Sequence, residues 1–467
     1  MKVKFLTLPP LFLLVLMACL QTPAATVIPP PTPPPPAELL WMDPMGTNDI
    51  ALSKDGQYVA AVGLTFSAEL RFYGRSSETP IWTYSQSGSI TFLSVAISAD
   101  GDCVAIGTSY PQGGDVRFWK NAKSRNPAIP GDTNPTWTSV DLGGPISERC
   151  LAISNDGNYL VAGGTGSSVY YWAGAKEESG PGLVSPTWQY WLLDLVEAVD
   201  ISSDGDYVVA GTTTPSVAYW NNSRGLSSPF KWAWMSTQLK SALNVVDVAV
   251  SDDGNYVASV SHSVTGALYY WAGAKSKPPD PEATWYNELG APDIFTSVDM
   301  SSDGGRVIAG ASAGGLPQTG MVYFWDGAKS LHGEPQTESW KYPTASPVED
   351  VAINSAGDYM AAANDVVSAP YVYFFDSSGY LKWTYEISEG EEAYLLSISS
   401  DGGTLAIGTR GFDSRYLVST GYRTPSGRPV GGLLLVTNKL ALISPWIAVA
   451  LAALAITVFA TKRRRKT

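Results

Sequence analysis

The chain predicts an all-β fold made of eight similar units, and three recurring signals carry that reading. An Asp-Gly pair falls at Asp55-Gly56, Asp100-Gly101, Asp156-Gly157, Asp204-Gly205, Asp253-Gly254, Asp303-Gly304 and Asp401-Gly402, with a worn copy at Ala356-Gly357. Successive glycines lie 45, 56, 48, 49, 50, 53 and 45 residues apart, a period that suits one small antiparallel sheet per unit. An aromatic strand follows each pair, and a tryptophan strand follows that. The implied architecture is an eight-bladed β-propeller closed by an N-terminal strand, plus one C-terminal transmembrane helix.

Each Asp-Gly pair sits between two short apolar runs, as in Ser94 to Gly107 (SVAISADGDCVAIG). A tight hairpin needs a residue with positive φ, which Gly supplies, and Asp bonds back to the turn backbone. The Ser two residues before most of these Asp residues, such as Ser53, Ser98 and Ser251, can add a similar bond. The outgoing strands (Tyr58-Val59-Ala60-Ala61, Tyr207-Val208-Val209-Ala210 and their equivalents) are rich in small residues, which suits strands crowded near an axis.

The aromatic strand reads Val116-Arg117-Phe118-Trp119, Val169-Tyr170-Tyr171-Trp172 or Val322-Tyr323-Phe324-Trp325. Bulky rings on both faces predict a strand packed between neighbouring sheets. The third signal is Trp41, Trp82, Trp137, Trp188, Trp234, Trp285, Trp340 and Trp383. Trp41 precedes the first hairpin, so its strand is expected to pair with the last unit and seal the ring, leaving no exposed edge. That last unit lacks an aromatic strand of the usual type; Arg415 to Thr420 and Leu433 to Thr437 are the two candidates.

Outside the repeats (residues 40–437) the ends read as export and anchoring segments. Residues 1–25 resemble a signal peptide, with Lys2 and Lys4 before an apolar run. Leu16-Met17-Ala18-Cys19 resembles a lipobox that would place a lipid on Cys19; cleavage near Ala24-Ala25 and an uncleaved anchor are the alternatives. Residues 26–39 are a Pro-rich linker, extended and semi-rigid. Residues 440–461 are apolar over about the length a membrane-spanning helix needs. The basic tail at 462–467 is expected to stay cytoplasmic, placing the propeller outside the cell membrane. A sorting tail that is cut and exchanged for another anchor has a similar layout.

Net charge is −13. Setting aside the seven basic residues of the two tails leaves 23 basic against 43 acidic residues, or about −20, which argues against nucleic acid as a partner. Of three cysteines, Cys103 and Cys150 fall in predicted core strands, where a buried thiol and a disulfide between them both remain open.

SxDGxYVAxG followed by VYYW resembles WD40-type propeller repeats, and Gly379-Tyr380-Leu381-Lys382-Trp383-Thr384-Tyr385 is similar to repeats of the pyrroloquinoline-quinone-like propellers. The resemblance spans about residues 41 to 437 and implies fold more than function. WD40 Gly-His and Trp-Asp dipeptides are absent as a pattern, Trp325-Asp326 being a lone instance. The quinone enzymes' vicinal cysteine pair is missing too, so no cofactor is carried over.

No catalytic or metal site is expected. Only His262 and His332 are available, with no third partner. The Asp100-Gly101-Asp102 and Asp204-Gly205-Asp206 clusters lack the spacing of a calcium loop, and turn chemistry accounts for them. Asn221-Asn222-Ser223 is a glycosylation sequon. The expected function is a non-catalytic cell-surface protein that binds a protein, peptide or glycan partner through its loops, where long connections such as Asn121 to Thr136 and Lys275 to Thr284 vary most between units. A propeller enzyme acting on polysaccharide or an oxidisable substrate in the central channel, and a structural cell-envelope component, are the alternatives.

Overall fold

The structure is a computed structural model. It describes residues 37–419 apart from 44–45, 65–66, 181, 228–231, 238, 240–242, 264, 315–317, 334, 365–370, 388–391 and 411–414. The chain divides into two compact units, 1–424 and 425–467, and the described residues belong to the first. The leader with Cys19, most of the Pro-rich linker, Leu433 to Thr437, the apolar segment 440–461 and the basic tail lie outside the described residues. Among the described residues no helix is long and apolar enough to cross a membrane.

Among the described residues the strands form eight sheets, seven of four antiparallel strands and one of five. The innermost strand of each sheet is the one entering an Asp-Gly hairpin: Asp49–Leu52, Thr91–Ile97, Leu151–Ile153, Val196–Ile201, Asn244–Val250, Ile294–Met300, Val348–Ile353 and Glu392–Ile398. The small-residue strands therefore come second from the axis. They need small side chains because both their faces are covered: Val59, Ala60, Ala61 and Val62 are fully buried. The fifth strand, Leu183–Val184, runs parallel to Trp137–Ser139 and covers an outer edge of the second sheet.

The N-terminal strand Glu38–Asp43 pairs antiparallel with Arg415–Ser419, the third strand of the last sheet. The first of the two candidate segments thus completes that sheet, and Trp41 seals it. Trp41 does there what the other tryptophans do elsewhere. Its Nε1 donates to the Arg75 carbonyl of the first sheet at 3.1 Å, while Trp82, Trp137, Trp188, Trp234 and Trp285 donate to Ala122, Ala175, Ser223, Ala274 and Ala328 of the sheets that follow them. A buried indole N–H needs an acceptor, and here the acceptor is a turn on the neighbour, a short 3-10 turn at Ala122, Ser223, Ala274 and Ala328. Trp82, Trp137, Trp188, Trp234 and Trp285 also stack on their own sheet's aromatic strand, Tyr171 and Trp188 having centroids 4.8 Å apart.

The hairpins interlock in the same order. All eight glycines have φ between 69° and 78°. The Ser hydroxyl donates to the turn Asp, as Ser98 does to Asp100 at 2.7 Å, and accepts from the first amide of the outgoing strand, Cys103 N–H at 2.9 Å. Gly205 lies directly against the Tyr159 ring of the preceding sheet, Gly254 against Tyr207 and Gly304 against Tyr256. The Tyr171, Tyr219 and Tyr270 hydroxyls donate to the carbonyls of those same glycines at 2.6 Å. Gly56 of the first unit lies against Ser399 and Thr404 of the last, so the relay returns to its start.

Candidate functional site

The eight innermost strands surround an axial channel, and one repeat position frames its open end. In six sheets the innermost strand carries a β-bulge that leaves one residue unpaired: Leu93, Glu197, Val246, Thr296, Glu349 and Tyr394. All six line a cavity of about 450 Å³ at the channel mouth, together with Glu148, Arg149 and His262. A bulge re-aims a side chain; here it turns one residue per sheet towards the axis. Each stands five residues before its hairpin Ser or Asn, a position held by Arg149 in the third sheet and Asn48 in the first. Arg149 reaches the axis differently, with φ 59°. The six bulge residues and Arg149 thus present seven side chains at one opening, only Glu occurring twice, while the Asn48 side-chain amide donates to the Phe92 carbonyl.

Below the mouth the channel is braced. Arg149 spans the axis and donates to the carbonyls of Thr296 at 2.8 Å and Glu349 at 2.9 Å, with Asp247 at 3.4 Å and Asp350 at 3.5 Å. Five carboxylates on the wall fasten neighbouring innermost strands, which have no ladder between them. Asp49 accepts from its own neighbour Ile50 and from Val95 of the next sheet, both at 2.8 Å. Asp200 does the same for Val250, Asp247 for Val298, Asp299 for Ile353 and Asp350 for Leu396. Burial pushes their carboxyl groups up, to about 7 for Asp49 and Asp200, about 8 for Asp299 and about 6 for Asp350, against the pull of those N–H bonds; burial raises Asp247 too.

At the hairpin end a backbone chain runs from Ala99 N–H to Asn155 O, then through Ser203, Asp252 and Ser302 to Ser355. The Ser355 hydroxyl donates to Ser400, and Ser400 N–H donates to Lys54 O at 2.8 Å. Asp55 N–H returns to Ala99 O. Lys54 Nζ meets Asp252 at 2.9 Å, joining the first sheet to the fifth. The channel is therefore closed in by polar bridges at two levels, and its carboxylates are engaged as acceptors.

Among the described residues no group of three or more His, Cys, Asp and Glu side chains is placed to hold a metal. Asp100 is occupied by Ser98 and by the Asp102 amide, as turn chemistry predicts. His262 lies at the channel mouth and His332 is exposed, on a loop of the sixth sheet. Cys103 and Cys150 are buried free thiols, with no disulfide between them, and Cys150 donates to the Val196 carbonyl. Asn221 is half-exposed and follows an aromatic strand, while Ser223 of its sequon is buried. Of the two long connections, Asn121 to Thr136 is held by Arg125, which donates to Lys120 O, Asn134 O and Thr136 Oγ1. Sequence reasoning missed the bulge residues and the axial carboxylates. The signal for the first was present: the position five before the hairpin Ser is the one where aligned units differ most in character.

The family model described as WD domain, G-beta repeat matches residues 143–173, which cover the entry to the third sheet and three of its strands. No curated protein matches the chain. Among solved structures the chain is similar to the C-terminal WD40 domain of Sif2, with a TM-score of 0.59 at 14% identity, covering 82% of this chain and 98% of that one. It is also similar to the Myceliophteria thermophila Cps50 (Swd1) β-propeller domain, with a TM-score of 0.49 at 14% identity, covering 72% and 97%. The fold is that of a WD40-type β-propeller.

Proposed function

We propose that the chain is a non-catalytic, eight-bladed propeller on the cell surface that binds a protein, peptide or glycan partner at the loop face around the channel mouth. The observation that carries this reading is the bulge position: a rigid, repeated scaffold displays Leu93, Arg149, Glu197, Val246, Thr296, Glu349 and Tyr394 at equivalent places around one opening. Diverse side chains on a rigid frame suit recognition. The carboxylates deeper in the channel are engaged as structural acceptors, which supports binding over catalysis. The leader, the apolar segment 440–461 and the basic tail support a single-span anchor with the propeller outside.

An affinity pull-down from native membranes tests the binding, comparing wild type with a Glu197→Ala/Glu349→Ala/Tyr394→Ala variant. A partner recovered by wild type and lost by the variant at unchanged melting temperature is the expected result. Partners retained by the variant would overturn the mouth as the site. Surface biotinylation of intact cells tests the location; labelling confined to lysed cells would place the propeller inside and cancel the surface role.

A further inference from the structure

Four exposed large apolar side chains stand at the loop-face entries of two successive innermost strands. Trp191 is 64% exposed, Leu193 73%, Leu195 39% and Leu243 66%. The first three lie in the run Trp191–Leu195, which connects the third sheet to the innermost strand Val196–Ile201. Leu243 directly precedes Asn244–Val250, the innermost strand of the next sheet. The sector borders the channel mouth: Glu197 of the mouth follows Leu195 by two residues, and Leu243 N–H donates to the carbonyl of His262 at 3.0 Å.

This run is held in place. Leu192 N–H donates to Ser167 O at 2.9 Å, Val196 N–H to Gly164 O at 3.2 Å and Thr213 N–H to Leu195 O at 3.1 Å. Asp194 accepts from Thr213 Oγ1 and from Leu195 N–H. Leu193 is fixed at φ 69°, a left-handed conformation that a branched side chain adopts only at a conformational cost. Strain of this kind, kept by surrounding bonds and used to present an exposed side chain, is a pointer to function. Clustered exposed apolar residues point to a protein-binding surface.

Charge selects the partner. The Thr213 hydroxyl bond holds the Asp194 carboxyl below its ordinary range, so it is ionised at neutral pH. Glu148, Glu197 and Glu349 stand at the adjoining mouth, where Arg149 is engaged by Asp247 and Asp350. Three leucines beside one tryptophan offer little hydrogen bonding to a sugar, and the carboxylates disfavour an anionic bilayer. We propose that the Trp191–Leu195 knuckle and Leu243 dock a segment of a partner protein that presents apolar anchors flanked by Lys or Arg. This rests on the loop-face binding role above and names the sector and the chemistry of its partner.

Panning a random-peptide phage library on the immobilised full chain, followed by fluorescence anisotropy with labelled copies of enriched peptides, tests it. Enriched peptides should combine Leu, Phe or Trp with Lys or Arg. Their affinity should fall about tenfold or more in Leu193→Gly and in Trp191→Ala, as for central anchor residues, and should weaken with salt. Leu193→Gly suits the left-handed backbone and should melt at or above wild type, so lost binding there is not lost folding. Leu183→Ser, at an exposed leucine on the edge of the second sheet, should bind normally. Enriched peptides that are acidic, or that ignore Leu193→Gly and Trp191→Ala, overturn this inference and leave the loop-face role standing. A library that enriches nothing overturns both, while glycans captured by wild type and lost in Trp191→Ala reassign the sector to sugar.

Discussion

Replacing Gly205 by Ala probes the interlock between neighbouring sheets, and Gly143 provides its control. Both glycines have φ of 77°. A Cβ at Gly143 meets nothing within 4 Å, whereas one at Gly205 overlaps the Tyr159 ring of the preceding sheet. Forcing an L-residue into this region costs about 1–2 kcal/mol, and both variants incur it. Overlap in a packed contact adds about 1–3 kcal/mol, and only Gly205→Ala incurs that. The expected losses are therefore about 1–2 kcal/mol for Gly143→Ala and about 2–5 kcal/mol for Gly205→Ala. Urea unfolding followed by tryptophan fluorescence measures both. A double-mutant cycle isolates the ring's share of the contact: in a Tyr159→Ala background, which removes the ring but keeps the Tyr159 Cβ 2.5 Å from the new one, Gly205→Ala should cost less than in wild type and still more than Gly143→Ala. Equal losses for the two glycine variants in the wild-type background would refute the claim that the hairpin glycine is required by the neighbouring sheet.

Three further outcomes follow from the same geometry. The axial carboxyls have folded pKa values above their unfolded ones, so they contribute stability that is fully present below the unfolded value and lost as pH rises through the folded values, about 6 for Asp350 to about 8 for Asp299. The melting temperature should rise from pH 8 to pH 5, and Asp299→Asn, whose amide oxygen still accepts from Ile353, should flatten the upper part of that rise; a melting temperature that falls over this interval contradicts the assignment. Trp41→Ala should cost about 3–5 kcal/mol, because Trp41 is 4% exposed and stacks on Tyr73 at 4.8 Å, and limited proteolysis should then cut the N-terminal strand first. Lys54→Met should change stability by less than about 1 kcal/mol, its bridge to Asp252 being 40% and 38% exposed; a larger loss in chemical unfolding would make that bridge a structural strut.

Much of this protein was legible in its sequence because its repeats act locally. A positive φ at the Asp-Gly turn, the Ser hydroxyl that closes it and the small residues of a covered strand are demands met within a few residues. Their spacing therefore predicts the sheets one by one. Trp41 standing before the first hairpin also foretold the closing strand, since an unpaired edge is costly wherever it occurs.

Other features depend on the ring and could not be read along the chain. Arg149 and Asp350 lie 201 residues apart in sequence and meet only because the third and seventh sheets face one another across the axis. Asp49, Asp200, Asp247, Asp299 and Asp350 look like ordinary polar residues in alternating strands, yet they fasten neighbouring strands that carry no ladder. Cys103 and Cys150 stayed open in the sequence and lie on separate sheets as free thiols. Variation at the position of Glu197, Glu349 and Tyr394 is visible along the chain, but the bulges that aim these residues into the mouth are register shifts between strands and are not. Turn and strand chemistry is decided by neighbours in the chain, whereas an axis exists only once all the sheets have been brought around it.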